Sequence, residues 1–157
     1  MLCLTTQADR EVTISRIELE MPERPYSVET LSRLTEELPD DDLFFVMGAD
    51  SWMDITTWRE WERVLALTNH IVVTRPGTEI GTGHVTNEIR ERIVDLRGDK
   101  EYTEGSGTQK RIYLTDAVQY DTSATDIRRK IRENDQTWRH DVSIEVANYV
   151  EKYQIYK

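Results

Sequence analysis

Two short, mainly apolar runs, each ending abruptly at a turn, constrain this chain more than any other feature. LFFVM at residues 43–47 runs into Gly48-Ala49-Asp50-Ser51, and HIVVT at 70–74 runs into Arg75-Pro76-Gly77. Runs of this length are too short for buried helices, and they lack the alternation of a strand that faces water on one side. They read as strands covered on both faces, which is the habit of a parallel sheet. Parallel neighbours need a crossover, and residues 51–67 between the two runs read as a tryptophan-rich helical stretch of suitable length. In an open sheet of this kind ligands bind beyond the C-terminal strand ends, so the rule selects residues 48–51, 75–77 and 115–123.

The remaining pattern extends the alternation of strand and helix. Residues 11–20 are rich in β-branched side chains and read as a strand, with an apolar phase that slips between Val12/Ile14 and Ile17/Leu19. Ser27 is placed to cap a helix carrying Val28, Leu31, Leu34 and Leu38 at helical spacing, before the acidic turn at 39–42. Val85, Ile89, Ile93 and Leu96 predict an amphipathic helix over 84–97, followed by a polar, glycine-containing mobile loop over 98–110. A short strand at 112–114 precedes a C-terminal helical part, 123–157, in which Ser123 caps one helix with Ile127 and Ile131. A second carries Val142, Val146, Tyr149, Val150 and Tyr153. The whole reads as an α/β chain with an open parallel sheet flanked by helices, and 157 residues suit a single domain.

Composition narrows the partners. Thirty acidic against twenty basic side chains give a net charge of −10, which disfavours nucleic acid and anionic membrane surfaces and requires any phosphate site to be local. No apolar run approaches the ~20 residues of a membrane span. The single cysteine, Cys3, forms no intrachain disulfide, and His70, His84 and His140 have no ligand spacing, so no protein-held metal is expected. The opening residues lack a secretory signal, and a cytoplasmic setting fits.

Three constellations could carry chemistry. Gly48 and Ala49 would let a ligand approach the backbone at a strand end, with Asp50 accepting from a sugar hydroxyl; the plain alternative makes Asp50 an N-cap. Trp58 would stack on a flat heteroaromatic ligand or pack in the core. In one helix it would share a broad face with Trp61, about 300° away. Ser123-Ala124-Thr125-Asp126 has the capping-box pattern, and Arg128, Arg129, Lys130 and Arg132 follow. Ser123, Thr125 and Arg128 would complete a polyphosphate cradle at a helix N-terminus, whereas Arg129, Lys130 and Arg132 fit a solvated face. Arg75, past the second strand, could reach the same anion or form a surface ion pair.

Taken in order, SRIELE, RPYSVETL (24–31), FVMGADS (45–51), WREWERVL (58–65), VVTRPG (72–77), TSATDIR (122–128) and VANYVEKYQIY resemble the bacterial nicotinate mononucleotide adenylyltransferases. That resemblance implies a Rossmann-like nucleotidyltransferase fold, ATP and nicotinate mononucleotide as partners, Mg2+ with the ATP, and AMP transfer in NAD (pyridine nucleotide) biosynthesis. It also implies roles: Gly48 and Asp50 at nucleotide ribose, Trp58 on the pyridine ring, and Tyr26, Ser27 and Val28, with the backbone near Arg59, at the nicotinate carboxylate. Arg75 would meet phosphate, and Ser123, Thr125 and Arg128 the ATP phosphates, with Arg128 as stabiliser. TSATDIR departs from the usual ISSTxIR at Thr122 and Ala124, losing one hydroxyl. The family's G-G-x-F-D-P turn and H-x-G-H motif are absent from these residues, so the catalytic histidines are unassigned. The chain looks like the enzyme without its N-terminal βαβ portion. It is expected to be weakly active or inactive alone, the alternative being a catalytically silent nucleotide-binding or oligomerisation module, and a homo-oligomer is compatible with either.

Overall fold

The computed structural model describes residues 1–74, 80–98, 109–117 and 122–156. The chain forms two compact units, Ile17–Tyr120 and a second made of Met1–Arg16 with Asp121–Lys157.

The first unit is built on a four-stranded sheet, and every pairing in it is parallel. Its strands are β1 (Phe44–Gly48), β2 (Asn69–Val73), β3 (Ile93–Asp95) and β4 (Ile112–Thr115), in the order β1-β2-β4-β3. Register aligns Met47 with Val72 and Val72 with Leu114, and these side chains are buried on one face. Around them gather Val28 and Leu31 of α2 (Ser27–Glu37), Trp52 of α3 (Ala49–Met53), Val64 and Leu65 of α4 (Trp61–Leu67), and Ile89 of α5 (Asn87–Glu91). Both apolar runs that marked the sheet are strands, and the parallel α/β architecture flanked by helices is the one their pattern predicts.

Four local readings need correction. Residues 12–16 run without regular structure and 17–20 form turns; no strand of the described sheet pairs with them, and Leu19 is 79% exposed, so β-branched content had no ladder to enter. The stretch 51–67 is not one helix: α3, a 3₁₀ turn (Ile55–Thr57) and α4 succeed one another, and Glu60 turns the chain at φ 50°. Trp58 lies between the helical pieces, so the helical spacing to Trp61 does not apply. In 84–97 only α5 is helical; Ile93 and Val94 instead form β3 against β4, the β-branched pair answering to a neighbouring strand. Finally, β1 is an edge strand with Phe44 50% and Val46 60% exposed, so its unbroken apolar run does not mean cover on both faces. The expected mobile loop falls on residues 99–108, outside the described residues, apart from its ends.

The second unit is helical: α1 (Leu2–Thr6), α6 (Ala124–Arg132), a 3₁₀ turn (Gln136–Asp141) and α7 (Ile144–Tyr153). Ile131, Trp138, Ala147 and Val150 form its core, joined by Ile127, Val142 and Val146. Ser123 and Ser143 cap α6 and α7, their hydroxyls accepting from Thr125 and Val146 N–H.

Candidate functional site

A cavity of about 650 Å³ lies between two short segments of the sheet unit, lined by Glu23, Arg24, Pro25, Tyr26 and Ser27 on one side and Thr57, Trp58 and Arg59 on the other. Backbone hydrogen bonds at a helix or 3₁₀ terminus fix each wall. Pro25 presets an extended approach, and Tyr26 then serves as the N-cap of α2, at φ −79° and ψ 156°. The cap is therefore one residue earlier than the sequence predicts, with Ser27 already in the helix. Glu29 accepts from the Tyr26 N–H at 2.9 Å, and the Glu29 and Thr30 N–H groups donate to the Tyr26 carbonyl. That leaves the Ser27 and Val28 N–H groups without intrahelical acceptors, as the first turn of a helix requires. On the other wall, Trp58 N–H closes onto the Ile55 carbonyl at 3.0 Å and the Thr57 hydroxyl onto the Asp54 carbonyl at 2.7 Å.

Trp58 has two surroundings at once. Its ring packs against the core and meets Phe45 edge-on at 6.3 Å, while the side chain also forms cavity wall. The tryptophan with no exposure is Trp52, whose ring N–H donates to the Gly81 carbonyl at 2.9 Å. Arg59 reaches across and lays its guanidinium 4.9 Å from the centre of the Tyr26 ring, with a Glu29 carboxylate oxygen at 3.8 Å. A flat apolar wall, a stacked cation and the N–H end of α2 at Ser27 form a surface suited to an aromatic anion.

The predicted residues divide clearly. Tyr26, Ser27, Trp58 and Arg59 line this one cavity; Val28 is 2% exposed and is not among the lining residues. Gly48 and Asp50 stand where β1 passes into α3, and are not among the lining residues. Gly48, not Asp50, is the N-cap there, and Asp50 is an exposed acid in the first turn. A side chain at Gly48 would meet nothing within 4 Å, so glycine leaves open space at the strand end. Arg75 lies outside the described residues. Arg24, Glu23 and Thr57 were not singled out as site residues, although Arg24 opens the RPYS segment and Thr57 adjoins Trp58.

In the helical unit, Ser123 and Thr125 open α6 as expected, but Asp126 does not complete a capping box. Its carboxylate takes hydrogen bonds from Arg129 and Lys130, which hold it below the usual carboxylate range, and Lys130 also reaches Asp141 at 3.0 Å. Arg129 is further engaged by Glu133. Arg128 alone of these three consecutive cations forms no ion pair among the described residues, and its guanidinium faces the Tyr156 ring at 5.9 Å. Tyr156 was not anticipated. Two left-handed residues, Gln154 and Tyr156 itself, bring the chain back there, a turn that non-glycine residues do not advertise.

Among the described residues no three histidine, cysteine, aspartate or glutamate side chains gather to hold a metal ion, and no helix is long and apolar enough to cross a membrane.

The cytidylyltransferase-like family model matches residues 1–130. The chain belongs to the cytidylyltransferase-like family. Over 157 residues it is 29% identical to a probable nicotinate-nucleotide adenylyltransferase of Corynebacterium glutamicum, covering 100% of this chain and 63% of that protein. A protein of the same description from Citrifermentans bemidjiense is 34% identical over 138 residues, 85% of this chain and 61% of the relative. The chain thus spans about three fifths of the length of these relatives. Its fold is also similar to that of the Plasmodium falciparum nicotinic acid mononucleotide adenylyltransferase complexed with APC, with TM-score 0.57, 19% identity, and 86% of this chain matched to 60% of that one.

Proposed function

We propose that this chain supplies the mononucleotide-binding cavity and a phosphate-contacting helix of a nicotinate mononucleotide adenylyltransferase, a nucleotidyltransferase of NAD biosynthesis acting in the cytoplasm. In that reaction a phosphate oxygen of nicotinate mononucleotide attacks the α-phosphorus of ATP. The bond to the β-phosphate breaks, and pyrophosphate leaves. The observation that carries the reading is the cavity wall in which Trp58, Tyr26 and the stacked Arg59 meet Ser27 at the start of α2. The names of the relatives support the same substrate.

Each residue then has a physical task. Trp58 offers its face to the pyridine ring, and the Ser27 and Val28 N–H groups with Arg59 take up the carboxylate. Asp50, beside the open backbone at Gly48, accepts from a ribose hydroxyl. At α6, Ser123 and Thr125 donate to ATP phosphates while Arg128, the cation with no carboxylate partner there, offsets charge that grows as pyrophosphate departs. Arg75 is assigned to phosphate on its sequence motif alone. Mg2+ enters on the phosphates of ATP, as part of the substrate.

This 157-residue sequence contains neither G-G-x-F-D-P nor H-x-G-H. Adenylyl transfer depends mostly on positioning and charge stabilisation, so binding should outlast catalysis in this chain. Calorimetric titration is expected to detect nicotinate mononucleotide, with pyrophosphate release from ATP slow or absent. Binding of nucleotide with no turnover, even when a segment bearing the missing histidines is supplied, would favour a silent nucleotide-binding module. Failure to bind either nicotinate mononucleotide or ATP would overturn the proposal.

A further inference from the structure

Beside the cavity runs a smaller groove that shares Glu23, Arg24, Pro25, Tyr26 and Arg59 with it and adds Met21, Pro22 and Glu29, the last a residue of the RPYSVETL segment to which the resemblance assigns no role. Glu29 does two things at once. One carboxylate oxygen accepts from the Tyr26 N–H at 2.9 Å, and the other lies 3.8 Å from the Arg59 guanidinium, the group laid over the Tyr26 ring. The first contact is an ordinary helix-capping bond that a neutral amide side chain could make equally well. The second needs the charge.

We propose that Glu29 is a specificity-determining residue of this cavity: its charge opposes that of Arg59 and so restrains the preference for a carboxylate-bearing ring over the corresponding carboxamide. The inference rests on the functional reading above. Its direction comes from the geometry. At 3.8 Å, with both side chains about half exposed, the Glu29 contact is too long and too wet to hold Arg59 in place. The Tyr26 ring at 4.9 Å orients the guanidinium instead. Removing the Glu29 charge therefore costs little positioning, while it lifts a repulsion that an incoming carboxylate feels and an amide does not.

The test compares nicotinate mononucleotide with nicotinamide mononucleotide, which differ in that one group, by calorimetric titration of the chain and of Glu29→Gln. The glutamine keeps the capping bond, so the melting temperature should stay at the wild-type value. Affinity for the acid should rise about threefold, the range of an exposed ion pair, with the amide unchanged. In an Arg59→Ala background the same substitution should still raise affinity for the acid and leave the amide unchanged, because the Glu29 charge acts on the incoming carboxylate directly and not by placing the guanidinium. Should Glu29→Gln lower the melting temperature, Glu29→Asp carries the test with the same sign, since it draws the carboxylate back by one methylene. If both ligands bind and the ratio does not move, Glu29 is only a cap, and this inference falls while the substrate assignment stands. If the wild-type chain binds neither mononucleotide, both fall.

Discussion

His70 shows how a single side chain carries a cost that the fold tolerates. It sits in β2 with no exposed surface, its Nδ1–H donating to the Thr68 carbonyl at 3.1 Å and its Nε2 without a partner among the described residues. Burial, reinforced by the charge of Arg92, pushes its pKa down to about 4 against the Thr68 bond. The unfolded chain takes up a proton near pH 6.5 and the folded chain only near 4, so the stabilisation is complete above 6.5 and is lost as pH falls towards 4. At roughly 1.4 kcal/mol per pH unit this amounts to ~2 kcal/mol between pH 7 and pH 5. Urea denaturation at those two values should show that loss in the wild type and a flatter dependence in His70→Gln; equal slopes would place the loss elsewhere. The tryptophans separate by environment in the same way. Trp52→Ala, which empties a fully buried site, should cost ~3–5 kcal/mol in thermal or urea melts. Trp58→Ala should weaken nicotinate mononucleotide binding far more than ATP binding, because only one ligand loses its platform. A large fall in stability without a change in that ratio would make Trp58 a core residue.

At the level of elements, α6 tests whether its basic residues act singly or together. Lys130 ties Asp126 to Asp141, whereas Arg128 faces only the Tyr156 ring among the described residues. Lys130→Ala should therefore lower the melting temperature and leave ATP affinity unchanged. Arg128→Ala should do the reverse, reducing ATP affinity roughly tenfold, the worth of one charge-assisted contact. Equal losses of affinity in both variants would indicate a diffuse charge effect. Elements with strong local signals were legible in the sequence: α2 through its apolar spacing, α6 through its Ser123 cap and apolar spacing, β2 through its β-branched run. Those decided by neighbours were not. Ile93 and Val94 fit a helical stripe and a strand equally well until β4 lies beside them, and residues 11–20 have strand composition without a partner. The candidate site divides along the same line. Tyr26, Ser27, Trp58 and Arg59 could be named from their motifs, but the Glu29–Arg59 and Arg128–Tyr156 contacts join residues that are far apart in the chain, and spacing does not encode them.

For the sheet unit as a whole, the consequential surface is the face of the sheet opposite its core. Register places Val46 beside Ile71 and Ile71 beside Tyr113, with Phe44 6.1 Å from the Tyr113 ring, on an edge strand whose outer side pairs with no described strand. Phe44 and Val46 are each at least half exposed, so apolar side chains and unpaired backbone groups meet water along one line. Natural edge strands suppress this combination with charge, because it templates pairing with another chain. The 157-residue chain on its own is therefore expected to self-associate as concentration rises, despite a net charge of −10 that opposes contact between copies. Val46→Lys puts a charge on that line at a position already 60% exposed, so it should cost less than ~1 kcal/mol of stability. Light scattering over a concentration series should show association in the wild type and its suppression in the variant, with ligand titrations unaltered because Val46 lines neither the cavity nor its neighbouring groove. If association survived the lysine, another surface would be responsible; if ligand binding fell with it, the edge of the sheet and the cavity would be energetically coupled through β1.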